Sequence, residues 1–261
     1  MRVDLHNHTT LCNHAVDTMD EYVQRAIELG IDYYGFSEHA PMKNFCDGYR
    51  LPLDKKEFYE NSVLELKEKY KNDIDILLGY EVDFIEGDYF LDEILNAKVD
   101  YLIGSVHYLD KWGFDNPEFI SEYNKKDIDT IWEEYFDAVK MCAKIEQIDI
   151  IGHFDLMKVF KFMPKKDIKV LAKDALTQIK NSNKVIEINP AGLRKPVKEQ
   201  YPSRPLLELC FEMDIPITFG SDAHSKDQVG FGYDEVIKLA KDIGYTNCVL
   251  FKNKEKEFIK F

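Results

Sequence analysis

The chain opens with MRVDLHNHTTLCNHA (residues 1–15), a short apolar run that leads directly into three of the seven histidines of the protein. Side chains two residues apart along a strand point to the same face, so Asp4, His6 and His8 share one face. Two imidazoles at this spacing are placed to chelate one metal ion, and Asp4 is placed to orient one of them. The stretch predicts a metal site at the carboxyl end of the first strand.

Short strand-like runs alternate with helical patterns along the chain. The predicted strands are 2–6, 31–38, 74–82, 99–107, 149–153, 184–189, 215–222 and 247–251. The predicted helices are 18–30, 55–70, 89–96, 127–146, 165–182, 203–213 and 233–243. Repeated strand–helix units predict parallel strands joined by right-handed crossovers. Because the units are this numerous and no G-x-G-x-x-G or P-loop motif is present, we expect a closed α/β barrel rather than an open doubly wound sheet.

All the histidines lie at, or just after, the carboxyl end of a predicted strand. They are His6, His8, His14, His39, His107, His153 and His224. In a (β/α) barrel these strand ends converge on one face, where the active sites of the fold are built. A single histidine at a strand end is more often a hydrogen-bonded structural residue than a ligand. Seven of them, with none in a predicted helix, indicate a metal-binding face.

Two carboxylates fit the same pattern. Glu81 ends an apolar run in LLGYEVDF, where an unpaired ionised carboxylate would be costly, so either it is neutral or a cation compensates it. A salt bridge to Arg or Lys is the alternative, but the convergence of histidines favours a metal. Asp222 shares a strand face with His224 in GSDAH.

Composition limits the classes of partner. Hydrophobic residues make up 45% of the 261 residues and charged residues 31%, which is ordinary for a globular protein. The net charge is −14 without a basic run, so we expect no nucleic-acid partner. No signal-peptide pattern and no membrane-length apolar stretch is present. The five cysteines are scattered without a CxxC pair, and we therefore expect a cytoplasmic enzyme with a small-molecule substrate.

Seven motifs carry a family resemblance: HNHTTLCNHA, FSEHAP, YEVDF, SVHYL, GHFDL, INPAGLRKP and GSDAH. In this order they resemble the motifs of the PHP (polymerase and histidinol phosphatase) metal-dependent phosphoesterases. Within the family, INPAGLRKPVKEQYPS is most similar to the stand-alone histidinol-phosphate phosphatases. The resemblance implies a distorted (β/α)7 TIM-like barrel, one domain over 1–261, and hydrolysis of L-histidinol phosphate in histidine biosynthesis.

The resemblance also implies a trinuclear metal site. The implied ligand sets are His6, His8, Glu81 and Asp222 for the first metal, Glu81, His107 and His153 for the second, and His14, His39 and His224 for the third. These donors suit Zn²⁺, Fe²⁺ or Mn²⁺. Glu38, in FSEH, receives no role in this scheme.

In the implied mechanism, the metal ions supply the nucleophile and Arg194 binds the phosphate. A metal-bound hydroxide would attack phosphorus, with Glu81 and Asp222 as catalytic ligands. Arg194 is the predicted catalytic phosphate clamp, because its guanidinium fork can engage two oxygens. The other substrate contacts predicted from the sequence are Lys158, Ser203 and Trp112, with Tyr201 as a further candidate.

Two long segments, 41–54 and 108–125, are candidates for active-site lids. Their aromatic residues either pack against an organic group of the substrate or pack within their own loops. These residues are Phe45, Tyr49, Trp112 and Phe114.

Three other interpretations stay open from the sequence. Another PHP phosphoesterase would act on a nucleotide or phosphotyrosine, although a nuclease should show a basic approach groove. An amidohydrolase-type barrel also begins with H-x-H, but Glu81, His14 and the D-x-H pair favour the phosphatase arrangement. A metal-storage or regulatory protein would have little use for a phosphate clamp. We do not expect a polymerase-attached module, because nothing follows Phe261.

Overall fold

The structure, a computed structural model, describes residues 1–261. Its strands are β1 (Val3–Asp4), β2 (Tyr33–His39), β3 (Asp75–Asp83), β4 (Tyr101–Ser105), β5 (Tyr108–Leu109), β6 (Trp112–Gly113), β7 (Ile150–Ile151), β8 (Val185–Ile188), β9 (Ile217–Phe219), β10 (Asn247–Lys252) and β11 (Glu255–Lys260). Its α-helices are α1 (Met19–Glu28), α2 (Lys56–Lys69), α3 (Asp92–Leu95), α4 (Ile128–Ala143), α5 (Ile168–Asn181), α6 (Arg204–Glu212) and α7 (Tyr233–Ile243).

Seven parallel strands form one sheet in the order β1-β2-β3-β4-β7-β8-β9. Its two edges also meet, since the Leu5 amide donates to the Phe219 carbonyl at 2.9 Å. Beyond the strand ends, the Asp222 amide donates to the His6 carbonyl at 2.7 Å. The sheet is therefore a nearly closed barrel, and the predicted TIM-like architecture is confirmed.

Every helix predicted from the sequence is present, shortened at most by a few residues at an end. Helix α1 begins with a capping box: the Thr18 side chain accepts from the Glu21 amide, and the Glu21 carboxylate accepts from the Thr18 amide at 2.9 Å. This reciprocal pair satisfies two amides that a helix start leaves free. None of the helices has both the length and the apolar character that crossing a bilayer requires.

The barrel interior is filled by large apolar side chains below the histidines. The Tyr101 ring crosses this interior, and its hydroxyl donates to the Leu5 carbonyl at 2.5 Å. Gly79 makes room for the ring, because a Cβ at that position would lie 2.6 Å from Tyr101 Cε2. The interior is therefore a packed core, which leaves the carboxyl ends of the strands as the open face.

The predicted strand 247–251 belongs to an antiparallel hairpin of β10 and β11 rather than to the barrel. Lys252 pairs with Asp75 and Lys254 with Asp149, at the amino ends of β3 and β7. The hairpin therefore covers the end of the barrel opposite the histidines. Its second strand is mostly charged, in the segment EKEFIK, which is why no apolar periodicity revealed it.

Segment 108–125, expected as a long loop, has structure of its own. It contains the short hairpin of β5 and β6 and the 3-10 turns Pro117–Asn124.

Candidate active site

Glu81 is the centre of the site. It lies near the carboxyl end of β3 and is 1% exposed. Five imidazoles bring a ring nitrogen to within 2.9–3.7 Å of its carboxylate oxygens. They belong to His6, His8, His39, His107 and His153. No Arg or Lys pairs with Glu81, so the salt bridge considered from the sequence is absent.

Asp222, which follows β9, lies beside two of these imidazoles. Its Oδ1 lies 3.3 Å from His8 Nε2 and 3.9 Å from His6 Nε2. The residue has a φ of 52°, in the left-handed region that aspartate tolerates better than most residues. This backbone conformation directs the carboxylate toward His6 and His8, which follow β1.

The remaining imidazoles form a cluster beside His8. The His14 ring lies 4.5 Å from the His224 ring and 5.3 Å from the His39 ring, between centroids. The His8 ring stacks on His39 at 4.1 Å and on His224 at 4.2 Å. The structure therefore brings all seven histidines together on one face of the barrel.

Three carboxylates that were not predicted as site residues each contact the Nδ1 atom of one imidazole. The pairs are His6 Nδ1 with Glu187 at 2.7 Å, His8 Nδ1 with Glu38 at 3.3 Å and His107 Nδ1 with Asp83 at 2.5 Å. A carboxylate on one ring nitrogen fixes the ring and leaves the other nitrogen as a metal donor. Two of these carboxylates could have been recognised from the sequence. Glu187 is a charged residue within the apolar strand KVIEIN, and Asp83 lies on the same strand face as Glu81.

Asp4, expected to orient an imidazole, does not do so. Its carboxylate accepts from the Ser221 hydroxyl at 2.6 Å and from the amides of Ser221 and Gly230. Asp4 also accepts from the Asn7 side chain at 3.1 Å. The prediction was wrong because backbone amides of the segment after β9 donate to the Asp4 carboxylate. Asp4 therefore stabilises the contact between the first and last strands of the barrel.

The donor atoms fit a metal centre. His6 Nε2, His8 Nε2, His224 Nε2 and Glu81 Oε2 are buried without a hydrogen-bond partner, which is costly for polar atoms. Zinc bonds of about 2.0–2.2 Å place tetrahedral donors about 3.3–3.6 Å apart. His6 Nε2 lies 3.4 Å from Glu81 Oε1, and His8 Nε2 lies 3.3 Å from Asp222 Oδ1. Imidazole and carboxylate donors at this spacing suit divalent transition metals.

The surroundings of the cluster lower the pKa of its central carboxylate and of two of its imidazoles. Burial opposes an ionised Glu81, but His6 and His39 outweigh it and hold the pKa of Glu81 well below its usual value. Burial, with the neighbouring His8, lowers the pKa of His39 to about 4. Burial also holds the pKa of His224 well below its usual value. His39 and His224 are therefore neutral at pH 7, the form in which histidine binds metal.

A cleft of about 880 Å³ opens above these imidazoles. Arg194 lines it, and its Nη2 donates to the carbonyls of Ser221 (3.0 Å) and Asp222 (2.9 Å). The guanidinium also lies 5.0 Å above the Phe231 ring. Its Nη1 is left without a partner, so a fixed cationic donor lies beside the metal-capable cluster.

Of the other substrate contacts predicted from the sequence, Tyr201 lines the cleft, whereas Lys158, Ser203 and Trp112 do not. Lys158 is fully buried, and its Nζ binds Asp155 and Glu199. Ser203 is buried at the start of α6. Trp112 packs edge-on against Tyr123, 4.7 Å between ring centroids. Sequence order placed these residues in segments that follow barrel strands but could not show which way each side chain turns.

The aromatic residues of the two long segments divide between the two expected roles. Phe45 and Tyr49 line the cleft, whereas Phe114 is fully buried against the core. Segment 41–54 is tied to the site by Arg50, whose Nη2 donates to Asp83 at 3.1 Å.

A family model for the PHP domain matches residues 4–191. The chain belongs to the PHP domain family.

Curated relatives of this PHP chain match it over nearly its full length. A protein of Deinococcus radiodurans named probable histidinol-phosphatase is 36% identical, over 97% of this chain and 98% of that protein. The histidinol-phosphatase of Bacillus subtilis is 28% identical, over 90% of this chain and 98% of that protein. Among solved structures, the histidinol phosphate phosphatase of Lactococcus lactis, complexed with Zn, L-histidinol and phosphate, superposes with a TM-score of 0.81 at 22% identity, covering 98% of both chains.

Proposed function

We propose that this PHP chain is a metal-dependent phosphomonoesterase that hydrolyses L-histidinol phosphate to L-histidinol and phosphate. One observation carries the chemistry: the Glu81-centred imidazole cluster and the free Nη1 of Arg194 open into the same cleft. The substrate assignment is supported by the histidinol-phosphatase relatives, which align with 90–97% of the chain.

We propose three divalent ions in this site. The residues that would hold them are His6, His8, Glu81 and Asp222 for the first, Glu81, His107 and His153 for the second, and His14, His39 and His224 for the third. Bound divalent ions would supply a nucleophilic hydroxide at neutral pH and neutralise phosphate charge. The zinc in the Lactococcus lactis complex supports zinc as one candidate, beside Mn²⁺ and Fe²⁺.

The protein's own residues then bind and orient the substrate. Arg194 donates from Nη1 to the phosphoryl group, because its Nη2 is already held by backbone carbonyls. Glu187 and Asp83 keep their imidazoles in one orientation throughout turnover.

Asp115 is our candidate for the substrate's ammonium group. It lines the cleft, and neither a hydrogen bond nor an ion pair satisfies its carboxylate, whereas Asp47 and Asp83 in the same cleft are paired with Arg50. Burial raises the pKa of Asp115. A cation bound beside it would stabilise the ionised carboxylate, so Asp115 suits the amine of L-histidinol phosphate.

We further propose that residues 1–261 act as one domain, since the terminal hairpin packs onto the barrel. A cytoplasmic location agrees with the five cysteines, all of which are free thiols.

The proposal is tested by comparing substrates on metal-loaded protein. L-histidinol phosphate, a nucleoside monophosphate and p-nitrophenyl phosphate are assayed at matched metal occupancy. We expect a kcat/KM for L-histidinol phosphate at least about a hundredfold above the other two, which is about 2.7 kcal/mol of transition-state preference. Equal turnover of all three would mean that the protein is a PHP phosphoesterase whose substrate is a different phosphate ester. No phosphate release from any would overturn the phosphatase assignment.

A further inference from the structure

The Tyr201 hydroxyl is a buried donor with no partner. Tyr201 is 1% exposed, and its oxygen makes no hydrogen bond within the protein. Its side chain nonetheless lines the same cleft as Arg194 and His153. An unsatisfied buried hydroxyl costs free energy, so a hydroxyl that stands at a binding cleft is best explained by a ligand atom that completes it.

The backbone around Tyr201 fixes where the ring stands. The Tyr201 amide donates to the Asn189 carbonyl at 2.8 Å, and the Asn189 amide donates back to the Tyr201 carbonyl at 2.6 Å. Gly192 lies against the ring, because a Cβ there would be 3.0 Å from both Cε2 and Cζ of Tyr201. The motif INPAGLRKPVKEQYPS therefore brings Arg194 and Tyr201 to the cleft on one folded segment.

The buried Lys158 lies over the face of the Tyr201 ring. Its Nζ lies 5.3 Å from the centroid of the Tyr201 ring. The ammonium is held by Glu199 at 2.6 Å, by the Gln200 carbonyl at 2.7 Å and by Asp155 at 3.0 Å. Lys158, expected from the sequence to meet the substrate, thus packs behind a residue that faces the cleft.

Arg194 offers a second unpartnered donor in the same cleft. Both its Nη1 and the Tyr201 hydroxyl are buried and free, and both groups are held by contacts that leave these atoms available. Burial raises the pKa of Tyr201, so the phenol keeps its proton and remains a donor at neutral pH. A charged fork and a neutral hydroxyl are complementary to a group with several acceptor oxygens.

We propose that the Tyr201 hydroxyl and Arg194 Nη1 donate together to non-bridging oxygens of the substrate's phosphoryl group, which makes Tyr201 a second phosphate-binding residue. The inference rests on the proposed function only in requiring a phosphate monoester. It does not depend on the alcohol that the phosphate carries. Because the product phosphate has the same oxygens, Tyr201 is expected to bind inorganic phosphate as well as substrate.

The test is Tyr201→Phe in the metal-loaded protein, with binding of inorganic phosphate measured by calorimetry. A hydrogen bond to a charged group corresponds to about a 10- to 100-fold change in affinity, so we expect phosphate to bind that much more weakly. KM should rise by a similar factor for L-histidinol phosphate and for p-nitrophenyl phosphate. The melting temperature should stay the same or rise, because the variant removes an unsatisfied buried hydroxyl.

Tyr123→Phe is the matched control. The Tyr123 hydroxyl donates to the carbonyls of Phe114 (3.1 Å) and Met157 (3.2 Å) and does not line the cleft. We expect this variant to lose stability and to keep its phosphate affinity. Unchanged phosphate affinity in Tyr201→Phe would overturn the inference, and so would a loss seen with L-histidinol phosphate alone. A wild-type protein that binds phosphate but does not prefer L-histidinol phosphate would instead contradict only the proposed substrate.

Discussion

Glu187 Oε1 lies 2.7 Å from His6 Nδ1, and both side chains are buried. The same carboxylate accepts from the His153 amide at 2.9 Å through its other oxygen. One residue on β8 therefore orients the imidazole of His6, just after β1, and fixes the backbone of a second histidine. This arrangement couples two parts of the cluster that are far apart in the sequence.

Glu187→Gln should weaken metal binding about 10- to 100-fold, because an amide cannot accept from both groups as the carboxylate does. Zinc affinity is measured by competition with a chromophoric chelator. Glu208→Gln serves as the control, since Glu208 forms an exposed pair with Arg204. Equal zinc affinity in the wild type and Glu187→Gln would show that the carboxylate is not needed to hold His6.

Metal removal should lower thermal stability through the Glu81 cluster. A ligand at a hundred times its Kd stabilises the folded state by about 2.7 kcal/mol, so chelation should lower the Tm by about 5–10 °C. In Glu81→Gln this dependence on metal should largely disappear. Differential scanning calorimetry with and without a chelator measures both. A Tm that is insensitive to the chelator in the wild type would argue against a metal centre.

Asp115→Asn should raise the KM for L-histidinol phosphate about tenfold by removing a charged partner of the ammonium group. The KM for p-nitrophenyl phosphate, which has no amine, should not change. Asp137→Asn, on the exposed side of α4, is the control. An equal rise for both substrates would mean that Asp115 does not recognise the amine.

Asp47→Asn should destabilise the protein in a pH-dependent way. Burial opposes the charge on Asp47, but hydrogen bonds from Arg50 and Tyr108 outweigh it and hold the pKa of Asp47 below its usual value. A depressed pKa in the folded state gives stability that is fully present above the unfolded pKa of about 3.9 and is lost progressively as the pH falls from there through the lower pKa of the folded protein.

We therefore expect Asp47→Asn to cost about 1–2 kcal/mol of unfolding free energy at pH 7 and a smaller amount at pH 3, where part of the charge-dependent stability is already lost. Urea unfolding at the two pH values gives the comparison. A cost that does not vary with pH would contradict the role of the Asp47 charge in holding segment 41–54.

The barrel and the metal-capable face were accessible from the sequence because both follow from local periodicity. Strand and helix periods set the order of elements, and parallel strands place all their carboxyl ends on one side. Once that is known, seven histidines at strand ends must meet. The same argument places Glu81 and Asp222 with them, since Glu81 lies near the carboxyl end of β3 and Asp222 just after β9.

Side-chain direction outside the strands could not be predicted in this way. Lys158 follows β7 closely enough to suggest the cleft, yet the 3-10 turn Leu156–Phe160 directs it inward to Asp155. Tyr201 faces the cleft only because an isolated bridge pairs it with Asn189, a contact between segments without apolar periodicity. Such positions depend on tertiary contacts rather than on spacing along the chain.

The most direct test of the account is the anomalous diffraction of crystals of the zinc-loaded protein. We predict zinc on both sides of the Glu81 carboxylate, with Glu81 oxygens about 2.0–2.2 Å from each ion, and a third ion among His14, His39 and His224. Zinc sites elsewhere, with none within bonding distance of Glu81, would contradict the assignment of this cluster as the catalytic metal centre.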